Sequence, residues 1–286
     1  MAVAPQPVSP SPQADPAAEP SVHVSTYGDG PRVLVGMHGW GSEHRKSYRD
    51  VLEHLPDDVT FHGVDLPGCG RSAPPPTWSW DAITDQLAAR LDTLSPGQPI
   101  TLVGACSGSY HALATAMRRP ERLQALVLLE PFAYMPWFFR IFTLPVTGSL
   151  LYRMVFDNPI GRAATERSLR RQGVSSDFDM VDAFGKNDLA TSYHYLKFYA
   201  QIPDHRVFAP IHTPVRVVTG QSSWRAIHDA VPMWRELWPD LEAIELAGVG
   251  HMFNQEAPER AAAAIFEPFA LPADPNPRPY GHPLPL

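Results

Sequence analysis

The 286-residue sequence is short of several things, and each shortage excludes a class of function. It has only two cysteines, Cys69 and Cys106. Two cysteines cannot build a disulfide framework; they suit a reducing compartment, where a thiol is free to act as a nucleophile. Charged residues make up 19% of the chain, below the usual share of about 25%. The formal charge of −7 excludes the basic footprint of a nucleic-acid binder. The most apolar long stretch, Met135 to Tyr152, is cut by Arg140 and Pro145, so no membrane span is expected. The first residues carry neither a basic nor an apolar leader region, and the chain reads as cytoplasmic. Its 12 histidines form no H-x-x-x-H or H-E-x-x-H pair, and the two cysteines lie far apart in sequence. Walker loops and helix-opening G-x-G-x-x-G loops are missing as well, so neither a metal nor a cofactor is expected.

Proline, in contrast, is plentiful at 32 residues. Residues 1–22 are proline-rich without aromatics and predict a disordered tail; residues 271–286 predict an extended one. Between them, short apolar runs alternate with helical patterns. Strands are expected at 33–37, 59–64, 99–103, 126–129, 215–218 and 241–246. Helices are expected at 48–55, 80–94, 109–118 and 258–269. Strands separated by helices make an α/β class with a mostly parallel sheet covered on both faces. Residues 132–205 lose this alternation and become aromatic and helical. They predict an inserted lid that divides a core of residues 23–131 and 206–270.

One segment carries chemistry more than any other. Leu102-Val-Gly-Ala-Cys-Ser-Gly-Ser-Tyr-His-Ala runs from a strand through small-x-nucleophile-x-small into a helix. Small residues permit a sharp turn, which lifts the nucleophile to the sheet edge beside a helix N-terminus. With this elbow the chain resembles the α/β-hydrolase family. Three further motifs follow that family's order: His38-Gly-Trp-Gly-Ser, Asp65-Leu-Pro-Gly-Cys-Gly-Arg-Ser and Gly250-His-Met-Phe-Asn-Gln-Glu-Ala-Pro-Glu. The resemblance covers nearly all of residues 23–270 and implies an α/β-hydrolase fold. Two registers of the elbow are open, with either Cys106 or Ser107 at the tip. Counting back from Pro120-Glu-Arg in the family pattern favours Cys106. Ser107 then supplies a backbone N–H to an oxyanion hole shared with Trp40, each donor being worth roughly 3–4 kcal/mol in the transition state.

The resemblance implies His251 as the base. The third member departs from the pattern. Gly220-Gln-Ser-Ser puts Ser223 where the family commonly holds an acid. Glu130, after the strand that follows the elbow, is the replacement; a purely local role for Glu130 stays open, and Asp229 is a weaker substitute. A thiol tolerates a weakened acid, because its pKa of about 8.5 is easily lowered by a helix N-terminus and an imidazolium. Cysteine also favours acyl transfer, since exchanging one thioester for another is nearly isoenergetic. The reading is therefore an acyl-handling enzyme forming an acyl-Cys intermediate, an acyl or aminoacyl transferase or thioesterase, which the resemblance places in specialised metabolism. The substrate is a small acyl group, with carrier-protein phosphopantetheine as a candidate bearer. An ester or lactone hydrolase and a non-hydrolytic binding or isomerase protein are the alternatives. His38, Phe132, Trp137 and Ser223 are the candidate pocket residues. Arg162, Arg167, Arg170 and Arg171 are a candidate carrier-facing surface or a solvated face.

Overall fold

The computed structural model describes residues 22–158, 188–202 and 204–269, together with residues 160, 161, 163 and 167. Residues 1–21 and the C-terminal tail lie outside these residues, as do Arg162, Arg170 and Arg171; Val22, expected in the N-terminal tail, is instead buried in the core. Seven strands form one sheet: β1 (Val24–Tyr27), β2 (Arg32–Met37), β3 (Val59–Val64), β4 (Ile100–Ala105), β5 (Leu123–Leu129), β6 (Val215–Gly220) and β7 (Glu242–Leu246). Their order is β1-β3-β2-β4-β5-β6-β7. Only the edge strand β1 runs antiparallel, pairing Val24 with Val64 through Tyr27 with Phe61. The remaining neighbours are parallel, as the alternation of strands and helices predicts. The sequence reading missed β1, a four-residue edge strand of mixed burial without an apolar run.

Side-chain alternation assigns the faces. Val33, Val35, Met37, Leu102, Leu126 and Leu128 point to one side. There they pack under α2 (Trp80–Thr93), α3 (Gly108–Arg118) and α7 (Arg225–Leu237). Leu34, Val103, Val127 and Leu129 point to the other, against α1 (His44–Leu52) and α8 (Pro258–Phe266). A two-residue period in buried strands is what a doubly covered parallel sheet requires. Helix α2 starts where Ser79 Oγ accepts the Ala82 N–H at 3.2 Å. Helix α1 starts four residues before its predicted Tyr48, and the cause is tertiary. Buried Asp65 accepts both the His44 backbone N–H at 3.0 Å and His44 Nδ1–H at 2.6 Å, which holds the first turn.

Between β5 and β6 lie α4 (Trp137–Arg140), α5 (Gly148–Phe156) and α6 (Leu189–Gln201). Phe142, Tyr152, Phe156 and Leu196 form a small core of their own, joined by Trp40, Met135 and Phe139. Asp188 caps α6 by accepting the N–H groups of Ala190 and Thr191. Among the described residues, no helix is long and apolar enough to cross a membrane.

Candidate active site

Strand β4 ends at Ala105 and α3 begins at Gly108, so two residues make the turn. Cys106 takes φ of +53°, a left-handed backbone that costs a side-chain-bearing residue of order 1–3 kcal/mol. The turn is pinned by Cys106 N–H donating to Leu129 O at 2.7 Å and Ser109 N–H donating to Cys106 O at 3.1 Å. It also needs its two flanking glycines. A Cβ at Gly104 would lie 2.5 Å from Ser109 Cα, and one at Gly108 would strike the carbonyl oxygens of Met37 and His38. Ser107 has ordinary helical angles and is buried. Its Oγ lies beside the Tyr199 hydroxyl without reaching hydrogen-bond geometry. The strained tip is therefore Cys106.

Glu130 ends β5 with φ of +54°, a second left-handed residue at the same sheet edge. Its N–H donates to Val218 O at 2.9 Å, tying the bend to β6. The buried carboxylate accepts three hydrogen bonds. Gly220 N–H donates to Oε1 at 2.6 Å, Ser223 Oγ–H to Oε2 at 2.5 Å, and His251 Nδ1–H to Oε2 at 2.8 Å. With Nδ1 donating, Nε2 is the basic nitrogen of a neutral ring. Cys106 faces the same ring closely enough to couple with it. Burial works to lower the His251 pKa; hydrogen bonding and charge from Cys106, then from Glu130, outweigh it and raise the pKa to about 10. The imidazolium form is thus the stabilised one. The Trp224 indole lies on the His251 ring, with centroids 4.4 Å apart and planes 11° apart, so the ring cannot swing freely about its side-chain bonds.

Of the two acids considered for His251, the structure brings only Glu130 to it. Asp229 is half exposed, accepts the Tyr134 hydroxyl at 3.4 Å and pairs with Arg225 at 3.5 Å. Ser223 occupies the vacated acid position and reaches His251 only through Glu130. It is a partner of the acid rather than a wall of the pocket.

A cavity of about 350 Å³ opens on Cys106 and His251. Phe132 lines it, as expected, together with Met135, Phe139, Phe142, Phe156 and Leu196. Two other pocket assignments are corrected. His38 is fully buried behind the loop: it accepts Leu66 N–H on Nε2 at 3.0 Å and donates Nδ1–H to Gly39 O at 2.9 Å. Burial lowers its pKa to about 4, so it is a neutral brace for the β2 loop. Trp137 is 77% exposed on the outer side of α4 and does not line the cavity. Trp40 and Ser107, the two proposed oxyanion donors, both line it. Gly39 brings the loop against the elbow, where a Cβ would lie 3.2 Å from Cys106 Cβ. The Trp40 side chain donates Nε1–H to Ser192 O at 2.7 Å and makes edge-to-face contacts with Phe139 and Phe156. Trp224, Tyr199 and Phe156 were not expected at the site, whereas Phe142 closes the aromatic stretch 132–142, which reads in sequence as a candidate acyl pocket. Of the first three, only the position of Trp224 beside Ser223 offered a signal.

Residues 32–258 match a protein family described as alpha/beta hydrolase fold. The chain is 38% identical over 111 residues to lipase LipV of Mycobacterium tuberculosis, covering 38% of this chain and 41% of that one. It is also 38% identical over 109 residues to pimeloyl-[acyl-carrier protein] methyl ester esterase of Nitrosomonas europaea, covering 38% and 40%. The chain thus spans about two-fifths of the length of these curated relatives. A thermophilic esterase from Thermogutta terrifontis superposes with a TM-score of 0.67 at 23% identity, covering 86% of this chain and 92% of that one.

Proposed function

The chain belongs to the α/β-hydrolase fold family, and we propose that it is an acyl-handling enzyme that breaks an ester or thioester bond through an acyl-Cys106 intermediate. The observation that carries this reading is the buried Glu130–His251 hydrogen bond beside the strained Cys106. His251 takes the thiol proton, and the thiolate Sγ attacks the acyl carbonyl carbon. The oxyanion develops toward the backbone N–H groups of Trp40 and Ser107. Collapse breaks the bond to the leaving oxygen or sulfur, and His251 returns the proton to it. In the second half, His251 deprotonates water or an incoming thiol or amine, which releases the acyl group and restores Cys106. Glu130 stays ionised throughout; it orients the ring and stabilises its imidazolium.

The apolar cavity wall supports an apolar acyl group as substrate, and residues 132–205 are assigned as the lid over it. The Nitrosomonas relative is named for a carrier-linked ester, which supports an acyl group borne on a carrier protein; thioester exchange onto Cys106 suits such a donor. The esterase and lipase names of the relatives support water as an acceptor. The test is intact-protein mass spectrometry after brief exposure to acyl thioesters and oxyesters of graded chain length. The wild type should gain the acyl mass and Cys106→Ala should not. Adding water, thiol or amine to the isolated acyl-enzyme identifies the acceptor. Product formation undiminished in Cys106→Ala would overturn the reading.

A further inference from the structure

Among the described residues, the large hydrophobic side chains left exposed are Tyr134, Trp137, Ile141, Leu144, Val146, Leu150, Met154 and Ile160. All belong to the segment between β5 and β6; the rest of the described surface contributes none. Soluble monomers rarely gather exposed apolar side chains in this way, and a contiguous patch marks an interaction surface. The helix geometry shows that the face is two-sided. In α5, Gly148, Tyr152 and Phe156 turn inward, while Leu150 and Met154, one helical turn apart, turn outward. Val146, at the tip of the preceding turn, is 95% exposed with a left-handed φ of +70°.

The charge on this segment distinguishes among partners. From Pro131 to Phe156 the sequence contains no Asp or Glu, while the chain as a whole carries −7. Arg140 and Arg153 are its only ionised side chains, and both are exposed. Neither forms an ion pair with a described residue. Apolar side chains interleaved with arginine, on an otherwise acidic molecule, match an interface that is apolar beneath a negatively charged layer. The 137–154 stretch, with Arg140 and Arg153 and no acid of its own, is thus complementary to an anionic bilayer face, although Asp157 follows it and Asp229 accepts the Tyr134 hydroxyl at the other end of the patch. The patch also continues inward, because Phe139, Phe142 and Phe156 of the same segment line the cavity above Cys106.

We propose that the outer face of residues 137–154 docks the protein onto an anionic lipid surface. This goes beyond the acyl-Cys106 reading and does not depend on it. Docking needs no transmembrane helix: the side chains enter only the headgroup and upper acyl region, and the cavity opening is brought toward the lipid.

The experiment is co-sedimentation of the full chain with phosphatidylcholine vesicles, with and without phosphatidylglycerol. Wild-type protein and Cys106→Ala should both partition onto the anionic vesicles, so loss of turnover does not affect this readout. Leu150→Glu/Met154→Glu should weaken partitioning by roughly tenfold or more, since it replaces outward apolar groups with charges of the wrong sign. Arg140→Gln/Arg153→Gln should weaken it by roughly 25-fold, about fivefold for each arginine, and reduce its salt dependence. These four positions lie outside the cavity lining, and circular dichroism with thermal unfolding checks that the variants are folded. Failure of the wild type to partition onto anionic vesicles overturns the proposal, as does equal partitioning by the Leu150/Met154 variant. Sedimentation velocity supplies the remaining outcome. A wild-type dimer that Leu150→Glu/Met154→Glu dissociates, without vesicle binding, assigns the face to a second copy of the chain and also overturns it.

Discussion

The central sheet and the segment inserted after β5 handle apolar side chains in opposite ways. Strands β2 to β6 bury both faces, and the elbow is hemmed in so closely that Gly104 and Gly108 have no room for a methyl group. The inserted helices bury one side in a small aromatic core and turn Leu150 and Met154 to solvent. A doubly covered sheet over-determines the positions of its loop ends, so strained residues such as Cys106 and Glu130 persist there. An insertion with its own small core is less constrained on its outer face, and this is the face proposed to dock. On these proposals, chemistry and docking lie on regions packed to different degrees.

Perturbing the stiff region should produce the largest effects. Replacing Glu130 with Gln keeps the shape but removes the charge that holds His251, and kcat/KM should fall by roughly 10²–10⁴-fold in steady-state assays. The same substitution has a pH signature. His251 has a folded pKa raised above its ordinary 6.5 to about 10. Its contribution to stability is therefore full below pH 6.5 and is lost as pH rises toward 10. Thermal unfolding of the wild type should show a loss across that window that Glu130→Gln reduces and Cys106→Ala reduces further. A flat wild-type profile would sink the raised pKa.

Gly108→Ala comes next. Its Cβ would meet backbone oxygens that cannot give way, and unfolding in urea should show a loss of roughly 3 kcal/mol together with loss of Cys106 reactivity. In the insertion, Phe156→Ala should act differently. Discrimination between long and short acyl chains should narrow by roughly tenfold, because the residue lines the cavity, and its buried ring should cost about 3–5 kcal/mol in urea unfolding while Cys106 reactivity is retained. Equal loss of Cys106 reactivity in the two variants would erase the contrast between the two regions. The smallest effect is expected at Trp224. Trp224→Leu removes the ring stacked on His251, an interaction worth about 1 kcal/mol. The pH profile of Cys106 alkylation should shift, and Trp224→Phe should restore most of it; a merely structural role would leave that profile unmoved.

The sequence by itself determined the class of the fold, because buried parallel strands write continuous apolar runs between helices. It also located the elbow. Gly108 is required by the Met37 and His38 carbonyls of the neighbouring strand end, but Gly104 is required by the Ser109 backbone only one turn away. Short-range sterics of this kind are legible without coordinates. The acid was only partly legible: Glu130 was a candidate, but a local role for it stayed open. Glu130 and His251 are 121 residues apart, and a strand-end glutamate bound to local backbone reads the same in sequence. Only the packing of β5 beside β6 brings Gly220 and Ser223 under that carboxylate. His38 shows the converse. Its motif suggested a pocket residue, yet its ring folds back to brace Leu66, a choice made by the neighbouring loop. The early start of α1 at His44 likewise depends on Asp65, supplied from beyond β3. Periodicity and local crowding are properties of neighbours along the chain. Which charge meets which hydroxyl across the sheet edge depends on loop ends that become neighbours only in the folded protein, and tertiary structure alone decided that.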